Sequence, residues 1–375
     1  MRETVNNKNQ RKLKIAHVAP VATPIPAPLG GSVEQCTALL TEELVRRGHD
    51  VTLFATGNTR TSARLAAVFP HGYWEDSDMW PWEHYEMINL AAACERAAEF
   101  DLIQYQAAYY PLSTTFTRLV NTPMVHTLHH QPVPEQVALW QYYAEANFVA
   151  ISEYQRRALA GLNCVATIGH GLDLENFRFN DTPEDYLVYL GRFTPGKGIL
   201  QAIEVARRTG LRLRLAAPEN EYYYEAVKQH VDGRLIEYLG ELGHADKTAL
   251  LGGARALVYP IQQAEPFGLV LIEAMACGTP VAALDKGAVP EIVIDGVSGY
   301  ATETLDELVM KLPEVMALPR QRVRRHAEEY FSVEAMTDGY EALYYSLVAE
   351  HAAGVAEGGE FGRAGHALSG LCPSR

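Results

Sequence analysis

Two glutamates, Glu265 and Glu273, stand eight residues apart in the segment EPFGLVLIEAMACGTPV. Gly268 between them permits a tight turn into a helix, and the first amides of that helix would present free N–H groups to an anion. Glu273 lies inside the predicted helix among apolar residues, where it needs hydrogen-bond donors because an unpaired buried charge is costly. Sugar hydroxyls are suitable donors. The alternative is a structural pair, with Glu265 capping the helix and Glu273 in a salt bridge.

Two further loops carry groups that suit a phosphate. In LGRFTPGKG, Arg192 and Lys197 stand five residues apart after an apolar run. Both could reach one diphosphate, and arginine could do so with two parallel hydrogen bonds. In PLGGSVE, Gly30 and Gly31 would let the backbone approach an anion at the start of the following helix. The alternatives are two solvated surface charges and a glycine turn without a ligand.

Alternating strands and helices must position these loops. Short apolar runs alternate with amphipathic segments, which predicts a parallel sheet covered by helices. Helices are predicted at 33–47, 199–209 and 332–349, and Ser152 is predicted to cap another. The predicted strands are LKIAHVA, DVTLFATG, FDLIQYQ, TPMVHTLHH and ANFVAIS in the first half, and YLVYLGRF, LRLRLAA, LIEYLGEL, RALVYPI and PVAALD in the second.

The chain therefore divides into two doubly wound, Rossmann-like α/β domains, at 13–180 and 184–330, with the joint at NDTPED. Ligands of such sheets bind at the carboxyl ends of the strands, so two facing domains would place a site in the cleft between them. Residues 331–352 predict a carboxyl-terminal helix that packs back on the first domain. The polar segment 1–12 and the Gly/Ala-rich segment 353–375 predict flexible tails.

Composition and charge exclude several classes of protein. A net charge of −14 argues against nucleic acid as a partner and against an anionic membrane as a general one, although peripheral membrane contact stays open. The five cysteines are scattered and form no Cys-x-x-Cys pair, so we expect neither a zinc site nor a disulfide framework. The same pattern predicts a cytoplasmic location. No run of 18 apolar residues predicts a transmembrane helix.

Together these segments resemble glycosyltransferase family 4, whose retaining enzymes have the two-Rossmann fold called GT-B. The resemblance spans about residues 13–350 and rests on the GG loop, a histidine in TPMVHTLHH, GRFTPGKG, AVPEIVIDGVSGY and the E-x7-E pair. It implies an enzyme that transfers a sugar from a UDP-sugar or GDP-mannose to a hydroxyl of a sugar, lipid or small-molecule acceptor. It implies neither a metal nor another cofactor, and the sequence has no D-x-D motif.

The resemblance also implies roles for particular residues. Arg192 and Lys197 would neutralise the donor diphosphate, Glu273 would bind the ribose, Glu265 would contact donor-sugar hydroxyls, and His129 aligns with the histidine that lines the donor sugar. The first loop is one residue longer than the family's Gly-Gly-x-Glu, which leaves open which glycine faces the donor. The implied catalytic residues are His129, Glu265, Arg192 and Lys197, and the implied donor-binding residues are Gly30, Gly31, Arg192, Lys197, Gly240, Glu241, Glu265, Phe267, Gly268, Leu269, Val270 and Glu273.

A non-catalytic nucleotide-sugar-binding protein is the alternative from another functional class. The four residues Arg192, Lys197, Glu265 and Glu273 are all present, which argues against it, because a degenerate binding protein would be free to lose one of them.

An aromatic segment, HGYWEDSDMWPWEHYEM, is the candidate for the acceptor side. Trp74, Trp80 and Trp82 could stack on a sugar, or the segment could be an excursion packed onto the first sheet. Tyr109 and Tyr110 follow a predicted strand and could also line an acceptor cleft. Residues 13–180 contain ten Lys or Arg against seventeen Asp or Glu, which favours a soluble or neutral acceptor over a charged membrane lipid.

Overall fold

The computed structural model describes residues 11–28, 30–107 and 110–356, the side chains of 110–112 and 355–356 excepted. The first half contains a parallel seven-stranded sheet in the order β3-β2-β1-β4-β5-β6-β7. Its strands are β1 (Lys14–Val18), β2 (Asp50–Phe54), β3 (Arg64–Ala66), β4 (Leu102–Tyr105), β5 (Met124–Thr127), β6 (Asn147–Ala150) and β7 (Cys164–Thr167).

The second half contains a parallel six-stranded sheet in the order β10-β9-β8-β11-β12-β13. The change of strand order beside the first strand of each sheet creates the point at which such folds bind ligands. Its strands are β8 (Leu187–Leu190), β9 (Leu213–Ala216), β10 (Ile236–Tyr238), β11 (Ala256–Tyr259), β12 (Val281–Leu284) and β13 (Gly299–Thr302). The prediction of two doubly wound α/β domains is confirmed.

Three strands, β3, β7 and β13, were not expected from the sequence. β3 has only three residues and begins with the exposed Arg64, while β7 is only half-buried along its length. β13 begins with Gly299, which packs where a side chain would meet the carbonyl of Val281 at 2.1 Å. None of the three presents the continuous apolar run that identifies a buried strand.

Helices cover both sheets. The helix predicted at 199–209 is confirmed, the one at 33–47 is displaced by one residue, and the last extends to Ala356, inside the predicted tail. The Ser152 hydroxyl caps its helix by accepting a hydrogen bond from the amide of Gln155 at 3.1 Å. The helices are α1 (Ser32–Arg46), α2 (Trp82–Glu95), α3 (Tyr110–Phe116), α4 (Pro134–Trp140), α5 (Glu153–Arg157), α6 (Ile199–Thr209), α7 (His244–Gly253), α8 (Leu269–Ala276), α9 (Val289–Ile292), α10 (Leu305–Met316), α11 (Arg320–Tyr330) and α12 (Val333–Ala356).

The chain crosses between the two units twice, and the crossings lie side by side. The amide of Leu172 donates to the carbonyl of Phe331, and the amide of Val333 donates to the carbonyl of Leu172, each at 2.8 Å. Helix α12 then packs its apolar face on β1 and α1, as predicted, with Tyr340 and Tyr344 fully buried there.

A buried arginine fastens the first crossing to the second unit. The Arg320 guanidinium donates to the carbonyls of Asn180, Gly252 and Ala254 and to the hydroxyl of Thr279, at 2.5–2.8 Å. Burial lowers the pKa of Arg320 to about 10, so the group remains a cation at neutral pH. Its hydrogen bonds satisfy carbonyls from two separate segments and a hydroxyl from a third, which fixes where the second unit begins.

A buried carboxyl holds the loop between β1 and α1. Glu86 on α2 accepts from the amide of Val21 at 3.1 Å and from the Tyr73 hydroxyl at 3.2 Å. Gly72 comes so close to this loop that a Cβ would lie 2.2 Å from the carbonyl oxygen of Ala22. Burial raises the pKa of Glu86 to about 8, so this side chain is largely neutral in the folded protein at pH 7.

We predict that Glu86→Gln flattens the decline of stability with rising pH. In the unfolded chain this carboxyl ionises near 4.5, whereas in the folded protein it holds its proton up to about 8. The folded state therefore loses stability as the pH rises between those values, by about 5 kcal/mol in total. Urea unfolding of both proteins at pH 5, 6.5 and 8 measures the difference.

The control variant is Glu95→Gln, on an exposed position of the same helix. It removes a carboxylate without changing the number of protons bound by the buried site. A constant difference between Glu86→Gln and the unmodified protein across this pH range would show that Glu86 ionises normally in the fold.

Candidate active site

A cleft of about 770 Å³ lies at the carboxyl ends of the strands of both sheets, and both units line it. This volume is within the range of small-molecule sites. The first unit contributes residues that follow β1, β5 and β7, and the second contributes residues that follow β8, β9, β10 and β11. Of the residues that the sequence singled out, the lining contains Gly30, Gly31, His129, Arg192, Lys197, Glu241, Glu265, Phe267, Gly268, Leu269, Val270 and Glu273.

The glycine pair forms the start of α1 on one wall. Gly31 caps the helix with a φ of 72°, in the left-handed region that favours glycine. A Cβ there would lie 2.8 Å from the Cβ of Ala27 and 2.7 Å from Oε2 of Glu34. Gly30 also has a positive φ, but a Cβ on it would meet no heavy atom within 4 Å. Gly31 is therefore required by packing, and Gly30 is the glycine with open space beside it.

The loop after β8 is held against the loop after β11 by two glycines. A Cβ on Gly198 would lie 1.9 Å from the carbonyl oxygen of Pro260, and one on Gly196 would lie 2.0 Å from Oε1 of Gln263. This close approach directs the side chain of Lys197 across to the second loop. Arg192, at the other end of the segment, is exposed and lines the cleft.

Lys197 and Glu265 form a partly buried ion pair. The Nζ atom of Lys197 lies 2.6 Å from Oε2 of Glu265 and 3.3 Å from the hydroxyl of Tyr259. The Tyr259 hydroxyl donates to the same Oε2 atom. Burial and the negative charge of Glu265 raise the pKa of Tyr259 well above its usual value, so its hydroxyl keeps the proton that it donates. The carboxylate of Glu265 is thereby fixed at the cleft wall.

Glu273 is also paired, but with a different lysine. The Nζ atom of Lys247, on α7, lies 2.7 Å from Oε1 of Glu273, and both side chains are half-buried. The donor that the sequence required for Glu273 is therefore a lysine of the protein itself. The sequence offered a salt bridge of Glu273 as the alternative to a ligand contact. That salt bridge forms, and both of its residues line the cleft.

Helix α8 opens onto the cleft at its amino-terminal end. Gly268 adopts a φ of 98° and begins the helix, and the first amides that follow belong to Leu269 and Val270. The amides of a first helical turn have no partner within the helix, and the helix dipole makes this end favourable for an anion. The same end carries Phe267, whose ring packs edge-on against the ring of His170 at 4.9 Å.

His129 lies on the wall of the first unit, buried and in contact with polar and aromatic neighbours. Its Nε2 atom is 2.7 Å from Oε1 of Gln106, and its ring stacks on that of His170 at 5.2 Å with an angle of 12°. Burial, followed by the nearby histidines His170, His130 and His17, lowers the pKa of His129 well below its usual value. The imidazole is therefore neutral at physiological pH.

The structure does not bring every predicted residue to the cleft. Trp74 and Trp80 are largely exposed elsewhere on the first unit, and Trp82 is the first residue of α2 and not part of a loop. Gly240 is absent from the described lining, although Glu241 beside it is present. Tyr109 lies outside the described residues, and Tyr110 begins α3 with only its backbone described.

Four contributors were missed by the sequence analysis: His170, Tyr259, Lys247 and Gln106. His170 carried the best signal, because the segment GHGLD directly follows β7, at the sheet edge where ligands bind. Tyr259 and Gln106 belong to the apolar strand runs, in which nothing distinguishes a polar side chain directed to a site from one directed to the core.

Across residues 11–28, 30–107 and 110–356, no three His, Cys, Asp or Glu side chains come together as metal ligands would. None of the helices in these ranges combines the length and the apolar character needed to cross a bilayer.

Two family models match the chain in succession. The one described as Glycosyltransferase Family 4 matches residues 30–176, and the one described as Glycosyl transferases group 1 matches residues 174–330. The two matches meet at the first crossing between the units, so each sheet has its own match.

Among curated proteins, the D-inositol 3-phosphate glycosyltransferase of Mycobacterium tuberculosis is 26% identical over 90% of this chain and 83% of its own length. The N-acetyl-alpha-D-glucosaminyl L-malate synthase of Bacillus anthracis is 27% identical over 44% of this chain, and the glycogen synthase of M. tuberculosis is 33% identical over 39%. The matches span only 46% and 38% of the lengths of these last two relatives.

Solved structures share the fold. A sucrose-phosphate synthase from Thermosynechococcus elongatus has a TM-score of 0.74 at 21% identity, covering 91% of this chain and 100% of that one. Anabaena HepE, in complex with UDP, has a TM-score of 0.69 at 19% identity, covering 89% and 100%. AviGT4, a glycosyltransferase involved in avilamycin A biosynthesis, has a TM-score of 0.67 at 24% identity, covering 90% and 98%.

Two facing Rossmann-like units, with a cleft lined by both, define the GT-B class of glycosyltransferases. Within that class, the succession of the two matches along residues 30–330 places the chain in glycosyltransferase family 4.

Proposed function

We propose that the protein transfers a sugar from a nucleoside-diphosphate sugar to a hydroxyl of an uncharged acceptor, with retention of configuration and without a metal ion. One observation carries the proposal. The cleft joins two cationic side chains, Arg192 and Lys197, the amino-terminal end of α8, and two carboxylates that are each held by a lysine.

The diphosphate of the donor fits between the loop after β8 and the start of α8. Arg192 supplies a guanidinium for two oxygens, and the amides of Leu269 and Val270 supply neutral donors. Lys197, on the same loop as Arg192, adds a second positive charge. As the bond to the sugar breaks, negative charge grows on the diphosphate, and these fixed groups stabilise it where it develops.

Glu265 is assigned to the hydroxyls of the transferred sugar. Lys197 and Tyr259 both bind its Oε2 atom, so the carboxylate has a fixed orientation before any ligand arrives. We assign Oε1 to sugar hydroxyls and His129, on the opposite wall, to the other side of the same sugar. A carboxylate committed to a lysine and a phenol is a positioning group and a poor nucleophile.

Glu273 is assigned to the ribose hydroxyls of the nucleotide. Its pairing with Lys247 uses Oε1 and leaves the other oxygen to accept from a vicinal diol. Glu241, which follows β10, lines the cleft on the second unit, and we assign it to the base. The salt bridge and the ligand contact are therefore compatible.

The chemical step follows from this arrangement. The bond between the anomeric carbon and the diphosphate oxygen breaks, and a bond from the acceptor oxygen to that carbon forms on the same face. The departing phosphate oxygen takes the proton of the acceptor hydroxyl, so no separate base is needed. Arg192, Lys197 and the amino-terminal end of α8 neutralise the negative charge of the departing diphosphate, in place of a metal ion.

The charge of the first unit's wall supports an uncharged acceptor. Among its described lining residues there is no lysine or arginine, and burial lowers the pKa of both His129 and His170, so neither is a cation at neutral pH. The cations of the cleft, Arg192, Lys197 and Lys247, all belong to the second unit. A phosphorylated or carboxylated acceptor would therefore meet no cation on the acceptor side.

A thermal-shift panel of UDP-glucose, GDP-mannose and ADP-glucose tests the donor class. A ligand present at 100 times its dissociation constant stabilises the fold by about 2.7 kcal/mol, so we expect one of these compounds to raise the melting temperature by several degrees. The matching free sugars are the controls and should have no effect. If no sugar nucleotide raises the melting temperature, the donor site has been wrongly assigned, and a shift without turnover would indicate a binding protein.

The two glutamates should separate binding from turnover. We expect Glu273→Gln to weaken binding of the bare nucleoside diphosphate roughly tenfold, because it weakens charge-assisted hydrogen bonds to the ribose. Glu265→Gln should leave that affinity within about threefold and lower kcat roughly a hundredfold, because it disturbs the sugar's position. Calorimetry with the nucleotide and steady-state assays with its sugar measure both. Equal losses of nucleotide affinity would contradict the assignment.

Matched acceptor pairs test the charge argument. With the identified donor, we expect inositol or glucose to be a better acceptor than inositol 3-phosphate or glucose 6-phosphate, because the phosphate would be desolvated beside a wall without cations. The ratio of kcat/KM within each pair is the measurement, at two salt concentrations. A higher kcat/KM for the phosphorylated member of a pair would overturn the neutral-acceptor proposal while leaving the donor site intact.

A further inference from the structure

The start of α5 lies at the contact between the two units. The hydroxyl of Ser152, the residue before this helix, donates to the carbonyl of Pro266 in the second unit at 2.7 Å. The amides of Glu153 and Tyr154, the first two residues of α5, donate to the carboxylate of Glu291 on α9, at 2.7 Å and 2.6 Å. Three hydrogen bonds therefore join the first unit to the second at this place.

Both oxygens of Glu291 are used in this contact, Oε2 by the amide of Glu153 and Oε1 by the amide of Tyr154. The amides of a first helical turn have no acceptor within their own helix, and the Ser152 hydroxyl accepts from the next amide, that of Gln155. The carboxylate of the other unit thus completes the cap of α5 with charge-assisted hydrogen bonds, which are stronger than neutral ones. Separation of the two units would break this cap.

The part of the second unit in this contact also holds Glu265. Pro266, whose carbonyl accepts from the cap residue of α5, follows Glu265 directly. The amide of Ala288, the residue before α9, donates to the carbonyl of Glu265 at 2.8 Å. Gly287 packs so closely that a Cβ on it would lie 2.4 Å from the same carbonyl oxygen. The contacts of α5 therefore reach both segments that hold the backbone of Glu265.

The other side of α5 holds the loop that contains His129. Gln155 is fully buried, and its Nε2 atom donates to the carbonyl of His130 at 2.9 Å. Its backbone amide donates to the hydroxyl of Ser152, which in turn donates to the second unit. A series of hydrogen bonds through the start of α5 therefore connects the residue after His129 with the residue after Glu265, on the opposite wall of the cleft.

We propose that Glu291 is a positioning residue, which docks the second unit on α5 and thereby sets the separation of His129 and Glu265 across the cleft. Glu291 is not among the described lining residues of the cleft, so it acts through the segments that carry those two side chains. The groups assigned to the diphosphate, the ribose and the base belong to the second unit, whereas the transferred sugar is assigned to both walls. The consequence for sugar transfer rests on the proposed function, whereas the docking contact does not.

Distances between spin labels on the two units test the docking. The labels are attached through Ile88→Cys on α2 and Glu204→Cys on α6, two exposed positions, in full-length protein whose accessible native cysteines are replaced by serine. We expect pulsed EPR of the ligand-free protein to give one narrow distance distribution. Glu291→Gln turns an NH₂ group toward a backbone N–H, so the distribution should broaden toward longer distances.

Two substitutions at Glu291 distinguish its hydrogen bonds from its volume. Glu291→Gln fills the same space, so a side chain needed only for packing would leave the distance distribution as narrow as in the unmodified protein. Glu291→Ala removes both acceptor oxygens and should broaden the distribution at least as much as Glu291→Gln. Because Glu291→Gln preserves the shape of the side chain, it also covers the case in which Glu291→Ala fails to fold.

Glu307→Gln is the matched control. Glu307 is also half-buried, and its Oε2 atom accepts from the amides of Glu303 and Thr304 at the start of α10, at 3.1 Å and 3.2 Å. This contact lies wholly within the second unit. We expect the melting temperature of Glu307→Gln to fall as in Glu291→Gln, while its label distances match those of the unmodified protein. Equal broadening in both variants would mean general destabilisation and would contradict the docking role.

Kinetics test the consequence for transfer. We expect Glu291→Gln to keep the affinity for the bare nucleoside diphosphate within about threefold, because the groups assigned to it belong to one unit. The value of kcat should fall roughly tenfold to a hundredfold, because the transferred sugar is assigned to two walls whose separation then varies. Calorimetry with the nucleotide and steady-state assays with its sugar measure both, and Glu307→Gln should retain the kcat of the unmodified protein.

The outcomes separate the two proposals. If the label distances are as narrow in Glu291→Gln and Glu291→Ala as in the unmodified protein, or broad in all three, the docking role is refuted, whatever the protein catalyses. If the distances broaden while kcat of an active enzyme stays unchanged, Glu291 does not position the site. Broadened distances in the variants, with no transfer even by the unmodified protein, would leave the docking role standing and refute the proposed function.

Discussion

The ion pair between Lys197 and Glu265 is the interaction on which the geometry of the cleft depends. Its two side chains are 18% and 9% exposed, and the pair joins the loop after β8 to the loop after β11. A pair with so little exposure contributes little net stability, because desolvation of both charges offsets their attraction. The chain keeps it in place through close backbone packing, above all at Gly198, where any Cβ would meet the carbonyl of Pro260 at 1.9 Å. Stability does not account for such an arrangement, whereas the diphosphate of the proposed donor would.

The second unit supplies charge, and the first unit supplies neutral polar groups. Arg192, Lys197 and Lys247 line one side, together with the start of α8, and the other side presents the buried imidazoles of His129 and His170. Burial keeps these imidazoles uncharged, so the positive potential stays where a diphosphate would lie. The two walls therefore differ in the class of group they can bind, as a donor and an acceptor require.

The sequence predicted the fold and most of the cleft because both leave local signals. Buried parallel strands are apolar runs, and the loops that bind phosphate combine glycine with cations or with a helix start. The edge strands β3, β7 and β13 lacked such runs. The partners of the charged residues could not be predicted, because Lys247 meets Glu273, and Gln106 meets His129, only through tertiary contacts.

The crossings between the units explain why His129 is connected to so much of the molecule. His170, which stacks on His129, lies in the first crossing, two residues before Leu172, whose backbone pairs with the second crossing. Its other neighbour is Phe267, at the start of α8 in the second unit. A rotation of one unit against the other would therefore alter the contact between His170 and Phe267, whereas the hydrogen bond between Nε2 of His129 and Oε1 of Gln106 lies within the first unit. The ring of His129 thus lies between Gln106, which belongs to the first unit, and His170, whose other ring contact belongs to the second unit.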